Sequence, residues 1–221
     1  MTTHVFILIG IFYLWGSIPT AYWYGRFFHN VDLRLLGSQN IGTANLFEST
    51  KLSSSLIVGF VDLFFKGWVP VTLLLIFDVE EIICITLSLC LLIGHNWSIF
   101  MLFKGGRGIL TAIGVVLGFQ LYLEMLILVI FMGFIGRILI YKDSGFWTFI
   151  AFLVLPALTF LIGHSNGTLI MTIILITILI TKRLTSNNLL NFQKDFNVLI
   201  YRLLWDRDIK SKDKWIDSAN R

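Results

Sequence analysis

The chain has 221 residues, of which 57% are hydrophobic, 15% aromatic and only 14% charged, with a formal net charge of +4. Its mean hydropathy is +0.84. A water-soluble domain carries about a quarter charged residues, so this composition excludes one; the 3 prolines and long apolar runs point to helices in lipid. A transmembrane barrel is excluded too, because its strands would alternate polar and apolar residues.

In chain order, the first span is predicted at residues 5–24, interrupted by Gly16-Ser17-Ile18-Pro19. Met1-Thr2-Thr3-His4 lacks the basic region of a signal peptide, so this run reads as a retained membrane helix. Further spans are predicted at residues 54–77, 82–95, 108–121, 125–141, 146–162 and 168–181. Several fall short of the ~20 residues of a full crossing, and short or broken helices are what membrane sites are often built from. Lys and Arg gather in alternate loops: Arg26, Arg34 and Lys51; Lys104 and Arg107; Arg137 and Lys142; Lys182 and Arg183. The opposite loops, Asp78-Val79-Glu80-Glu81, Tyr122-Leu123-Glu124 and Gly163-His164-Ser165-Asn166-Gly167, carry none. The expectation is an all-α integral membrane protein of about seven transmembrane helices, with the N-terminus outside and the C-terminus cytoplasmic. The bundle is predicted to occupy residues 1–183. Residues 184–221 form a tail with apolar positions at helical spacing from Leu189 to Leu204, an amphipathic helix that would rest on the membrane or the bundle. Cys84 and Cys90 fall within one predicted span on different faces, which argues against a disulfide or a metal pair.

Three polar clusters fall on the predicted cytoplasmic side. The densest is Phe103-Lys104-Gly105-Gly106-Arg107-Gly108, wedged between two apolar runs. Glycine permits the positive φ of an amide nest and the cations supply charge, so these residues suit a phosphate-binding loop; turn glycines beside positive-inside charges are the plain alternative. The second cluster is Gly37-Ser38-Gln39-Asn40-Ile41-Gly42-Thr43-Ala44-Asn45, which offers many neutral donors to an oxygen-rich ligand. The third is Asp62 and Lys66, at i, i+4 on one helical face within a span, where charge is costly and marks either a function or a buried pair. His95, just before the glycine loop, is a candidate acid or base or a structurally bonded helix end. GxxxxGK[ST], HExxH, GxSxG and CxxC are all absent, so a nucleotide P-loop and a covalent acyl-enzyme are not indicated.

Ser17-Ile18-Pro19, Asp32-Leu33-Arg34 and the stretch from Gly37 to Asn45 resemble the first signature of the bacterial acyl-phosphate:glycerol-3-phosphate acyltransferases, the PlsY family. Gly94-His95, the six-residue loop and Thr111 resemble its second, and Asp62 with Lys66-Gly67 resembles the segment between them. The match covers residues 16 to 118. The resemblance implies a seven-helix bundle in the bacterial inner membrane with a cytoplasm-facing site. It implies acyl transfer from acyl phosphate to the 1-hydroxyl of glycerol 3-phosphate, giving lysophosphatidate for phospholipid synthesis. No cofactor or metal is implied, and the partners would be the two substrates and membrane lipid, with no nucleic acid; the oligomeric state stays open. Carried over, Ser38, Lys104 and His95 would be catalytic, and Asn40, Gly42, Asn45, Asp62, Lys66, Gly105, Gly106, Arg107, Gly108 and Thr111 would bind substrate. The chain departs from the family at Gln39, where glycine is usual, at Thr43-Ala44, and at Glu48, where arginine is usual. The serine loop after the fifth span corresponds loosely to Tyr141-Lys142-Asp143-Ser144. In place of the His and Asn of a third signature stands Thr181-Lys182-Arg183-Leu184-Thr185-Ser186-Asn187-Asn188, so Lys182, Arg183 or Asn187 would have to serve instead. These departures leave a different acceptor alcohol, or a non-catalytic lipid- or anion-binding relative, as alternatives.

Overall fold

The computed structural model describes residues 2–185, 196–211 and 215, and these residues are helical wherever the apolar runs predicted it. The helices are α1 (Thr2–Ser17), α2 (Thr20–His29), α3 (Thr43–Ser49), α4 (Leu52–Ile76), α5 (Glu81–Asn96), α6 (Ile109–Gly118), α7 (Tyr122–Ile140), α8 (Ser144–Ile162), α9 (Asn166–Thr185) and α10 (Phe196–Trp205). Five described helices are long and apolar enough to cross a membrane, and six if α1 and α2, bent by 40° at Ile18-Pro19, count as one. The predicted span 108–121 is realised as α6, ten residues long. At 1.5 Å per residue it reaches about 15 Å, half of a ~30 Å hydrocarbon core. Cys84 and Cys90 are both free. The chain divides into two compact units, one ending at Phe119 and the other running from Gln120 to Trp215.

In the first unit, α1 crosses α5 and α4 crosses α6 with backbones in contact. A Cβ on Gly67 would strike Gly114 and the Thr111 carbonyl, and one on Gly114 would strike Gly67 and the Leu63 carbonyl. Lipid supplies no hydrophobic drive between helices, so close approach through small residues is what holds such crossings. Where α4 meets α6 it is a π-helix, Val61–Trp68. The Val69 N–H reaches back five residues to Phe64. Pro70 has no N–H to continue that register to Phe65, and the Trp15 indole donates to the Phe65 carbonyl instead, at 2.9 Å. Under the Gly37–Asn45 cluster lies a buried core of Ala21, Leu33, Ile41, Leu46, Val58 and Met101, which seats the loop between α2 and α3.

In the second unit, Asp143 caps α8 by accepting from the Phe146 N–H at 3.0 Å, and pairs with Arg207 at 2.6 Å. α10 occupies most of the predicted amphipathic stretch, and the part at 189–195 lies outside the described residues. Arg202 of α10 is buried and bound to Asp208 and to the Leu184 carbonyl. Arg183, at the end of α9, donates to the carbonyls of Leu203 and Gly145 and lies over the Phe149 ring. Its guanidinium therefore ties the tail to the start of α8. Asn187 lies outside the described residues.

Candidate active site

The glycine loop begins with a reversal. After a turn of 3-10 helix at Ile99–Met101, Leu102 and Phe103 take left-handed φ of 52° and 61°. Their N–H groups reach back to the Ile99 and Ser98 carbonyls, and that of Lys104 to Met101. Of the three loop glycines only Gly108 is left-handed, at φ 75°, where it caps α6. Gly105 and Gly106 are needed for a different reason than the predicted nest geometry. A Cβ on Gly105 would strike the His95 and Asn96 carbonyls, and one on Gly106 would strike the His95 imidazole at Nε2. The loop is laid against the end of α5, and the Gly106 N–H donates to the His95 carbonyl at 3.1 Å.

His95 is held on several sides. Its Nδ1 shares a hydrogen bond of 3.2 Å with the hydroxyl of buried Thr111 on α6, and its Nε2 lies against Gly106. Lys104 is exposed at the rim, while Gly105, Gly106 and Gly108 are buried. The first amides of α6 follow at once, without intrahelical acceptors, and the positive end of the helix dipole favours an anion there.

The Gly37–Asn45 cluster approaches this loop at Gly42. A Cβ built on Gly42 would lie 3.9 Å from the Gly106 Cα and 3.6 Å from Asn40 Nδ2. Asn45, expected to contact substrate, is instead committed to its own loop. Only 1% exposed, it accepts from the Ser38 N–H at 3.1 Å and donates to the carbonyls of Leu33, Leu36 and Asn40 at 2.9, 3.0 and 2.9 Å. It is a positioning residue that presents Ser38 and Asn40, both partly exposed. Asn45→Ala is expected to cost roughly 2–4 kcal/mol, at about 1 kcal/mol per lost bond, and to raise the KM for the phosphorylated substrate; thermal unfolding and steady-state kinetics check both.

Gln39, where the family's glycine is usual, has a φ of 56°. The departure thus occurs at a left-handed position, and Gln39→Gly is expected to stabilise the chain by about 0.5–1 kcal/mol without loss of activity, as read from unfolding midpoints. Glu48, where arginine is usual, is exposed on α3, so water screens its charge far more than a dry site would. Ahead of this cluster, Asp32 accepts from Arg34 at 2.6 Å, and that hydrogen bond holds the Asp32 carboxyl below its ordinary range.

Asp62 and Lys66, each 2% exposed, form a buried pair of 2.9 Å. The carboxylate also accepts from Thr20 at 2.5 Å and Thr43 at 3.3 Å, and the ammonium donates to the Ile18 carbonyl at 2.5 Å and to Thr20 at 3.1 Å. The pair pins the α1–α2 bend to the start of α3, and with it the polar loop to α4. Both side chains are thus buried and bonded within the fold. Sequence reading missed Thr20 as the link; the proline directly before it was the available signal.

The first unit also carries an open apolar groove of about 610 Å³, lined among others by Trp15, Ile18, Phe65, Leu73, Leu91 and Phe100. Among the described residues no group of three or more His, Cys, Asp or Glu could hold a metal. A helical membrane protein with a cationic glycine loop, converging neutral donors and an apolar groove in the same unit has the features of an enzyme that joins a phosphorylated, water-soluble substrate to a lipid chain. A family model described as glycerol-3-phosphate acyltransferase matches residues 6–191. The glycerol-3-phosphate acyltransferase of Streptococcus pyogenes serotype M5 (strain Manfredo) is 35% identical over 185 residues, 82% of this chain and 86% of that protein. A crystal structure of PlsY (YgiH), an integral membrane glycerol 3-phosphate acyltransferase in its glycerol 3-phosphate form, superposes with a TM-score of 0.71 at 25% identity, covering 87% of this chain and 94% of that one. The lysophosphatidic acid form gives the same TM-score at 22% identity. The chain belongs to the glycerol-3-phosphate acyltransferase family and is a membrane acyltransferase.

Proposed function

We propose that the protein transfers an acyl group from acyl phosphate to the 1-hydroxyl of glycerol 3-phosphate at the cytoplasmic face of the inner membrane, within a seven-helix bundle whose N-terminus is outside. The observation that carries this reading is the convergence of the two polar loops, where Gly42 packs beside Gly106. An acyl phosphate is already activated, so the protein need only bind phosphate, align the hydroxyl and stabilise developing charge. The Gly105 to Gly108 backbone, Arg107 and Lys104 hold phosphate, Ser38 and Asn40 orient the acceptor, and the acyl chain lies in the apolar groove. The acceptor oxygen attacks the acyl carbonyl carbon and the carbon–oxygen bond to phosphate breaks. The hydroxyl proton leaves with the departing phosphate. His95 acts as a positioning residue, since its Nδ1 is bonded to Thr111 and its Nε2 faces Gly106.

Purified protein supplied with acyl phosphate and labelled glycerol 3-phosphate is expected to form labelled lysophosphatidate. No product from the folded wild type, or equal product from acyl-CoA alone, would sink the reading. An acceptor screen distinguishes another alcohol from glycerol 3-phosphate.

A further inference from the structure

Asn96 ends α5 directly after His95 and is fully buried. Neither its Nδ2 nor its Oδ1 has a hydrogen-bond partner among the described residues. Folded proteins seldom leave both ends of a buried carboxamide unmade, because each was stripped of water without compensation. Its surroundings are specific. A Cβ on Gly108 would strike Asn96 Oδ1 and the Leu92 side chain, so the carboxamide lies against the backbone of the loop at its last glycine. Gly108 is left-handed and caps α6, a ten-residue helix whose N-terminus already favours an anion. The Gly108 carbonyl is held by the Ala112 N–H at 2.8 Å, so the peptide plane that can turn at this glycine is the one between Arg107 and Gly108.

We propose that Asn96 is a positioning residue for phosphate binding, the internal partner of the Arg107–Gly108 peptide in its ligand-bound arrangement. When the N–H of this peptide turns outward onto a phosphate, its carbonyl turns inward. Nδ2 takes that carbonyl, and Oδ1 takes any N–H left facing the interior. A carboxamide suits the task because it offers a donor and an acceptor without a charge that would repel the anion. The loop then exchanges partners on binding rather than losing them. The proposal rests on the reading of this loop as a phosphate cradle, and the shared chemistry is a phosphate group, free or carried on glycerol.

The test uses full-length protein in detergent, with glycerol 3-phosphate and inorganic phosphate as probes. Asn96→Leu is close in size and has no polar side-chain atoms. It is expected to unfold at the same temperature or higher, since two unmade groups are deleted. It is also expected to bind both probes at least tenfold more weakly, with KM rising more than kcat falls. A folded Asn96→Leu that binds as tightly as wild type overturns the proposal. So does a lowered unfolding temperature with affinity intact, which assigns Asn96 to a structural bond with buried water. If that variant does not fold, the side-chain amide NMR signal of Asn96 in the wild type decides. The signal must shift, and its protons must exchange more slowly, when glycerol 3-phosphate is added. An unmoved signal in protein that binds the probe overturns the proposal. Wild type that binds neither probe also overturns it, by removing the phosphate reading beneath it, and that outcome is separate from the others.

Discussion

Asp62→Ala is expected to destabilise the protein by about 3–5 kcal/mol and to lower activity in step with the folded fraction. The substitution leaves the Lys66 ammonium 2% exposed without its carboxylate, and it takes the acceptor from Thr20 and Thr43 at once. The Coulombic gain between two buried charges is large only while both are present; a single one keeps the whole desolvation cost. Two further variants separate charge from shape. Asp62→Asn keeps one oxygen to accept from a threonine and offers an N–H to the other, and should cost less than Asp62→Ala. The double variant Asp62→Leu, Lys66→Met removes both charges and should recover most of the loss. Thermal unfolding in detergent measures all three. Equal stability of Asp62→Ala and wild type would show that the pair does not hold the α1–α2 bend to the polar loop.

Lys104→Ala is expected to leave the unfolding temperature unchanged and to reduce acyl transfer by about 10²–10³-fold, the effect of removing one charge-stabilising donor from an active site. The expectation of intact folding follows from exposure: the side chain stands at the rim of a loop whose backbone is tied to Met101, Ser98 and His95 by main-chain N–H groups that the substitution keeps. Lys104→Arg keeps the charge and should retain part of the rate. If Lys104→Ala transferred acyl groups as fast as wild type, the cation would have no part in binding either phosphate, and the amides and Arg107 would carry that role alone.

Much of this arrangement was legible in the residues. Unbroken apolar runs placed nearly every helix, because a backbone in lipid has few ways to satisfy its own hydrogen bonds. The two polar loops were recognisable from glycines, amides and cations packed at a density that a plain linker does not need. What escaped was contact made over long separations. The sequence cannot say that Asn45 is consumed by Leu33, Leu36, Asn40 and Ser38, because an asparagine in a polar loop reads the same whether it faces ligand or backbone. The reason for Gly105 and Gly106 was misassigned likewise: a turn glycine and a glycine pressed against a neighbouring helix are indistinguishable until the neighbour is placed. The i, i+4 pairing of Asp62 and Lys66 holds, but on a π-helix whose register only the structure reveals.

The family match stops at residue 191, yet the chain beyond it is built into the second unit through arginines. Arg207 reaches Asp143, Arg202 reaches Asp208 and Leu184, and Arg183 reaches back to Leu203. The tail and the second unit are thereby coupled through buried charge. A relative that acquired this tail without Asp143 would bury the Arg207 charge unmatched, and one that lost the tail would leave Asp143 with a charge formerly balanced. Positions 143, 183 and 207 are therefore expected to vary together across relatives that carry such a tail. Grafting the tail onto a shorter enzyme requires bringing its acceptors along.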